Sequence, residues 1–304
     1  MNLQRTSNKS QVAIMNAVHD LPVLVARDEG FFKDEGLDIE FVTTPGMAQV
    51  TTSHLVKFDS VFDRPLDSAY NDGGIDQYRM CEWGIMKRAV EANSSGLRGR
   101  TIVALGASMS SFAIVVAGDS DVYEPEQLKD KAIAVTPNNG SHFTTLKMME
   151  GFLTPEHVKT TQAGSMPKRL AAVREGRVAA ASVMEPWISV AQKQGLRILI
   201  ESHSTRSEAA GDELDTATLK AMFRAQARAV KLLEQDPTPY VHYFIAETGG
   251  MLEPHELQVW RLLHAPPQPY TRERFEDTYK WTVKWNMVVP GATYENTVDN
   301  RAWE

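Results

Sequence analysis

Histidine and acidic side chains stand at the starts of predicted helices, where they could contact a ligand. His19 and Asp20 follow a short apolar run and precede Pro22, a residue common in the first turn of a helix. Because histidine titrates near neutral pH, a His–Asp pair here suits ligand orientation or acid–base catalysis. The alternative is that Asp20 only caps the helix. The position in a loop favours ligand contact for His19.

A second candidate segment, residues 136–142, carries Asn139, Gly140, Ser141 and His142 ahead of a helical pattern. Backbone N–H groups at a helix start, with amide and hydroxyl groups beside them, suit an anion. The alternative is an ordinary Asn-Gly turn in which Ser141 caps the helix. Both can hold together, and the pattern favours ligand contact by Gly140 and Ser141.

The third candidate is Glu185 with Trp187, directly after a predicted strand. A carboxylate beside an aromatic ring suits a polar or cationic group stacked on that ring. A structural hinge with Trp187 in the core is an equally good interpretation. Thr44 and Gly46 follow the predicted second strand, so we expect them to line the same site.

Cys81 is the single cysteine of the chain, which excludes an intramolecular disulfide and metal sites built on clustered thiolates. A lone buried cysteine is usually an inert apolar residue, and Arg79 is the one neighbour in sequence that favours a thiolate. We interpret Cys81 as structural unless a helix starting at Gly73–Gly74 directs it to the site. The eight histidines lack metal-binding spacing, and no nucleotide-binding or serine-hydrolase loop occurs. We therefore expect neither a metal nor a cofactor.

The elements that must position these residues alternate between strands and helices. Apolar and alternating runs predict strands, helical patterns lie between them, and the chain after Asp215 is almost entirely helical. This pattern predicts an α/β fold with mostly parallel sheets, whose ligands bind beyond the carboxyl ends of the strands. The segments used below are strands at 12–16, 37–42, 132–135 and 179–183, and helices at 23–32, 48–57, 75–91, 142–152 and 254–263.

At 304 residues the chain is long enough for two lobes. We predict that residues 1–110 and 202–304 form the first lobe and residues 111–201 the second, with the ligand cleft between them.

Composition and charge narrow the partners and the compartment. The net charge is −7 and the pI is about 5.7, which argues against a nucleic-acid partner. The most apolar segment, residues 103–118, is interrupted by serines, so we expect no membrane span. The N-terminus is polar, without an apolar stretch of signal-peptide length. This predicts a cytoplasmic protein, or a periplasmic one if a leader has been removed.

Three segments carry a family resemblance in the expected order: Pro22–Glu40, Leu128–Val135 with Gly140 and Ser141, and Leu170–Trp187. Together they resemble the nitrate–sulfonate–taurine and thiamine-pyrimidine branch of the type II periplasmic solute-binding proteins. The resemblance implies two α/β lobes joined by a two-strand hinge, with the C-terminal helices on the first lobe. It also implies ligands such as sulfonates, nitrate or pyrimidines.

The same family includes enzymes, among them a thiamine-pyrimidine synthase and a biphenyl-sulfinate desulfinase. The segment from Tyr70 to Gly84 resembles the desulfinase in its paired glycines, which makes Gly73 and Gly74 candidate ligand contacts. The desulfinase's cysteine near the first strand and the synthase's cysteine-rich motif have no counterpart here.

Two functions follow from the residues and the resemblance. The favoured one is binding of a small anionic or heteroaromatic molecule (sulfonate-, carboxylate- or pyrimidine-like), as the solute-binding protein of an ABC-type uptake system or a cytoplasmic relative of one. The alternative is a metal-independent cytoplasmic lyase or hydrolase that uses His19, His142 and Glu185 as acid–base groups. A transporter permease or a second copy of the chain would be the protein partner.

Overall fold

The structure is a computed structural model that describes residues 9–43 and 64–304. The predicted helix at 48–57 and the candidate site residues Thr44 and Gly46 lie outside the described residues. The strands are β1 (Ser10–Ile14), β2 (Ile39–Thr43), β3 (Gln77–Cys81), β4 (Thr101–Val116), β5 (Ala132–Val135), β6 (Lys159–Gln162), β7 (Ala180–Met184), β8 (Arg197–Ala210) and β9 (Leu262–His264). The α-helices are α1 (Ala17–Asp28), α2 (Phe31–Asp34), α3 (Pro65–Asn71), α4 (Glu82–Ser95), α5 (Gly140–Met149), α6 (Met166–Arg174), α7 (Trp187–Lys193), α8 (Thr216–Gln235), α9 (His242–Glu247), α10 (Arg272–Lys284) and α11 (Tyr294–Thr297).

All the described strands belong to one sheet, in the order β2-β1-β3-β8-β4-β7-β5-β6, with β9 also paired to β4. Parallel pairs form two groups, β2-β1-β3 and β7-β5-β6. The strands β4 and β8 join these groups through antiparallel pairs. The predicted α/β class is therefore confirmed, and the sheet is mixed.

The connection between the two parallel groups is a pair of unusually long strands. β4 and β8 pair from Thr101 opposite Ala210 to Val116 opposite Arg197, with several bulges on the way. One half of this ribbon carries β3, and the other half carries β7. This matches the expected two-strand connection, while the lobe boundaries near residues 110 and 201 stay a prediction.

The predicted helix at 75–91 is wrong in its first part, because Gln77–Cys81 forms the strand β3. Residues 77–80 alternate between polar and apolar types, as in a strand, but the run is short and leads directly into a helical pattern; all five residues of β3 are buried. Its pairing with β8, more than a hundred residues later, decides the conformation. As a result, Cys81 lies at the carboxyl end of β3 and directly before α4.

Helix α1 begins at Ala17, earlier than the sequence pattern indicates. Asn16, not Asp20, is its N-cap: the Asn16 Oδ1 accepts the backbone N–H of His19 at 3.1 Å. Pro22 therefore lies inside the helix and cannot donate to the carbonyl of Val18. The Ser110 hydroxyl donates to that carbonyl instead, at 3.4 Å.

Two other helix predictions also change. Helix α5 begins at Gly140 with Asn139 as its N-cap, so Ser141 does not cap it. The predicted helix at 254–263 is wrong, because this segment contains two short 3₁₀ turns and the start of β9.

The C-terminal helices pack on the first parallel group, as predicted: α8 lies against α1 and α2, and α10 lies against α4. None of the helices in residues 9–43 and 64–304 combines the length and apolar character that a membrane span requires.

Candidate functional site

The carboxyl end of β3 meets the start of α5 where the two halves of the sheet join. Gly140, the first residue of α5, is so close to β3 that a Cβ on it would lie 3.6 Å from the sulfur of Cys81. The same Cβ would lie 3.2 Å from the ring of Phe112 on β4. The amino-terminal ends of α4 and α5 therefore converge on one point beside Cys81.

Arg206 on β8 stands at this point, directly opposite Cys81 in the β3–β8 pairing. Its side chain is completely buried. The guanidinium donates to the hydroxyls of Ser110 and of Ser204, the latter at 3.2 Å, and lies 5.8 Å from the ring centroid of Phe112. We call Arg206, Ser110, Ser204, Cys81, Phe112 and Gly140 the Arg206 cluster.

No carboxylate within the described residues pairs with Arg206, and its Nε has no hydrogen-bond partner there. Burial lowers the pKa of Arg206 to about 10, so the guanidinium stays cationic at neutral pH. An uncompensated buried charge is costly. The cluster therefore suits an anion, which would supply the missing countercharge.

Two further arginines add positive charge near Cys81. Arg64, just before α3, donates to the carbonyl of Pro137 at 2.7 Å and so reaches across to the loop before α5. Arg88 on α4 pairs with Asp67 at 2.7 Å. Burial raises the pKa of the Cys81 thiol, and nearby Arg206, Arg88 and Arg64 oppose this rise only in part. The thiol is therefore neutral at physiological pH.

His19 lies in the first turn of α1, within electrostatic reach of Arg206. Burial lowers its pKa well below 6.5, and the charges of Arg206 and Arg79 lower it further. Its Nδ1 is 2.5 Å from the Asn16 Oδ1. Because this oxygen can only accept a hydrogen bond, Nδ1 carries the hydrogen. This leaves the Nε2 of a neutral ring as a hydrogen-bond acceptor.

Asp20 holds the loop between β1 and α1. Its Oδ2 accepts the backbone N–H groups of Met15 (2.5 Å) and Asn16 (3.0 Å), and its Oδ1 accepts a hydrogen bond from Arg79 at 2.5 Å. Both oxygens are thus used inside the protein, and ligand contact by Asp20 stays a prediction. Arg79, the expected thiolate neighbour of Cys81, is instead paired with Asp20 and lies 3.8 Å from Glu208.

Gly73 and Gly74 lie at the opposite end of the strands from the Arg206 cluster. Gly73 adopts a φ of +76° directly after α3, and the following turn bonds to β1 through the N–H of Asp76 and the carbonyl of Gln11, 2.8 Å apart. Gln11 is at the amino-terminal part of β1, whereas Cys81 is at the carboxyl end of β3. The structure places this glycine pair in a turn away from the Arg206 cluster, and its ligand contact stays a prediction.

Glu185 and Trp187 are both structural in their observed positions. The carboxylate of Glu185 accepts the backbone N–H (3.2 Å) and the hydroxyl (3.1 Å) of Ser189, and it pairs with Arg261 at 3.2 Å. Burial raises the pKa of Glu185, against these hydrogen bonds. Trp187 is 4% exposed and packs in the apolar cluster behind β4 and β7. The hinge-and-core interpretation is the one the geometry supports.

The remaining predicted residues form the turn that presents Gly140. The Ser141 Oγ accepts the backbone N–H of Thr136 at 3.0 Å, which leaves its own hydrogen to donate. The His142 Nδ1 accepts the N–H of Asn138 at 3.2 Å, and burial lowers the His142 pKa to about 4. His142 is therefore neutral and helps to shape the turn, as Asn139 does by capping the helix.

Contacts between the carboxyl end of α5 and α10 join the two halves of the molecule. Glu150, at the end of α5, accepts the indole N–H groups of Trp281 (3.0 Å) and Trp285 (3.3 Å) and pairs with Lys284 at 3.2 Å. The Arg206 cluster itself is closed off from solvent.

Sequence reasoning missed Arg206, the centre of the cluster. The sequence shows the charges of Arg206 and Glu208 but not their complete burial on the long strand β8, which is what marks Arg206 as a site residue. No group of three metal-ligating side chains forms among the residues described. An open depression of about 740 Å³ lies on the second half of the molecule, with Lys168 and Arg177 on its wall. None of the residues that line it is a buried polar residue comparable to Arg206.

Comparison with known proteins agrees with this fold. The sequence profile of the NMT1-like family matches residues 5–239. The chain belongs to the NMT1-like family. No curated protein matches this family member closely enough to count as a relative.

Solved structures similar to this NMT1-like protein include two sulfonate-binding proteins. The alkanesulfonate-binding protein SsuA from Xanthomonas axonopodis pv. citri, bound to MOPS, has 16% identity and a TM-score of 0.69, with 94% of this chain and 96% of that chain covered. The periplasmic aliphatic sulphonate-binding protein SsuA from Escherichia coli has 15% identity and a TM-score of 0.72, with 97% and 92% covered. The desulfurization enzyme DszB has 14% identity and a TM-score of 0.57, with 97% and 98% covered. At these identities the likeness is one of fold, and it confirms the predicted periplasmic-binding-protein fold.

Proposed function

We propose that this protein binds a small organic anion of the sulfonate or carboxylate class at the Arg206 cluster. The observation that carries the proposal is the buried guanidinium of Arg206, which has serine partners and no carboxylate partner in residues 9–43 and 64–304. The planar fork of an arginine matches the paired oxygens of such anions, and both groups would be neutralised on binding.

The surroundings of Arg206 favour the same ligand. Helices α4 and α5 direct their amino-terminal ends, which carry partial positive charge, at the cluster. The Phe112 ring offers an apolar surface for the organic part of the ligand. His19 is neutral and adds no further charge to the cluster.

The similar structures favour sulfonates as the first ligands to test, since their names specify alkanesulfonate and aliphatic sulphonate binding. By the same argument we propose that the protein works outside the cytoplasm and delivers its ligand to the permease of an ABC-type importer. Because the cluster is buried, we expect the halves to separate about β4 and β8 for ligand entry. The lyase or hydrolase alternative finds no support in the contacts of the described residues, where the Glu185 carboxylate is fully engaged by Ser189 and Arg261.

Calorimetric titration with propane-1-sulfonate, butyrate and an uncharged pyrimidine tests the proposal. We expect the wild type to bind an anion, and Arg206→Met to weaken that binding by about 10–100-fold, because a charge-assisted hydrogen bond contributes about 1.5–3 kcal/mol. Arg206→Met should keep or raise the melting temperature, because it removes an uncompensated buried charge. Exposed Arg177→Met is the matched control. An unchanged dissociation constant in folded Arg206→Met would refute the proposal.

A further inference from the structure

Strand β9 brings a second set of polar groups to the sheet face that carries the Arg206 guanidinium. In the β4–β9 pairing, Ser108 lies opposite His264 and Ser110 lies opposite Leu262. Side chains two residues apart on a strand project from the same face, and directly opposed residues share a face. Because Ser110 contacts Arg206, both Ser108 and His264 project toward the Arg206 side of the sheet.

These groups are buried without hydrogen-bond partners in the part of the chain that the structure describes. Ser108 is 2% exposed, and its hydroxyl is unpaired. Both ring nitrogens of His264 are likewise buried and unpaired. Burial lowers the pKa of His264 to about 4, so the ring is neutral and offers one donor and one acceptor. Unpaired buried polar atoms are destabilising, so partners for them are expected.

A bulge in β4 places these groups level with Arg206. Thr205 pairs with Met109 and Ser207 pairs with Leu105, so residues 106–108 of β4 all lie opposite Arg206. Arg206, Ser108 and His264 therefore stand side by side on the adjacent strands β8, β4 and β9. Neighbouring strands are about 4.8 Å apart, so β8 and β9 are separated by roughly 10 Å. A short ligand can span that distance.

We infer that the ligand is a bifunctional organic anion, with its sulfonate or carboxylate at Arg206 and an uncharged hydroxyl-type group at Ser108 and His264. This inference rests on the proposed function, and it adds the second group that selects among anions. An uncharged group fits because the neutral His264 and the hydroxyl of Ser108 offer donors and acceptors but no countercharge. A ligand with a second carboxylate would leave that charge unpaired.

The experiment compares two ligands of equal charge and similar size, 3-hydroxypropane-1-sulfonate and butane-1-sulfonate, which differ by a hydroxyl in place of a methyl group. By calorimetric titration the wild type should bind the hydroxylated ligand about tenfold more tightly, as expected for one buried hydrogen bond. In Ser108→Ala and His264→Phe this preference should shrink toward one, while the affinity for butane-1-sulfonate stays within about threefold.

Ser207→Ala is the matched control, because it removes an equally buried, unpaired hydroxyl from the opposite face of the sheet and should leave the preference unchanged. Equal affinity of the wild type for the two ligands, or a preference that survives in both site variants, would overturn the inference and leave anion binding standing. Failure of the wild type to bind these two ligands, propane-1-sulfonate and butyrate would remove the proposed function as well.

Discussion

Glu247 should make the stability of this protein depend on pH near neutrality. It ends α9, and its Oε1 accepts the backbone N–H of Ala17, the first residue of α1, at 2.5 Å. Burial raises the pKa of the Glu247 carboxyl from 4.5 to about 7, and the Ala17 N–H opposes the rise only in part. The protonated form is therefore favoured in the folded protein.

The magnitude follows from the two pKa values. Each step of one in pKa corresponds to about 1.4 kcal/mol, so a carboxyl at about 7 when folded and 4.5 when unfolded corresponds to ~3 kcal/mol. A raised pKa means that the folded state holds the proton more tightly. The stabilisation is thus complete below pH 4.5, is lost as the pH rises to about 7, and changes no further above that.

Urea denaturation of the wild type and Glu247→Gln between pH 4.5 and 8.5 measures this effect. Glutamine can still accept the Ala17 N–H but cannot ionise. The variant should match the wild type at pH 4.5 and exceed its free energy of unfolding by up to ~3 kcal/mol at pH 8.5. Glu234→Gln, exposed on α8, is the control and should show no such trend. A constant difference across the pH range would refute the reasoning.

Two further predictions test the assignments of Cys81 and Trp187. Because burial raises the pKa of Cys81, its reaction with an aromatic disulfide reagent at pH 8, followed by absorbance, should be about two orders of magnitude slower in the folded protein than in urea; equal rates would mean that the thiol is accessible. Trp187→Ala should lower the free energy of unfolding by about 3–5 kcal/mol, whereas Trp260→Ala, at a side chain 60% exposed, should change it by less than about 1 kcal/mol; similar losses in urea denaturation would argue against a core role for Trp187.

Much of the fold could be predicted because its signals are local. Alternating and apolar runs predicted the strands around residues 12–16, 37–42 and 132–135, and the order of three segments predicted the family. The failures are also physical in origin. The alternating run at the start of Gln77–Cys81 is short and adjoins a helical pattern, so by itself it does not distinguish a strand from a helix.

The structure places some of the predicted site residues near the Arg206 cluster and others away from it. His19 lies near Arg206, and Gly140 is part of the Arg206 cluster, as expected for residues that follow strands. Other predicted residues carry suitable chemistry but lie away from the cluster. Internal partners engage Asp20 and Glu185, and the Gly73–Gly74 pair lies at the opposite end of the strands. Their residue types alone could not reveal this.

The sequence by itself determined the α/β pattern, the family and the loops that begin helices α1 and α5, since each depends on neighbours a few residues apart. Only the tertiary structure decided which buried polar groups find partners within the protein. Arg79 is neutralised by Asp20, whereas Arg206 is held by two serines, one of them 96 residues away. Strand pairing over such distances sets the burial and the countercharge of each arginine, and neither property is encoded in local spacing.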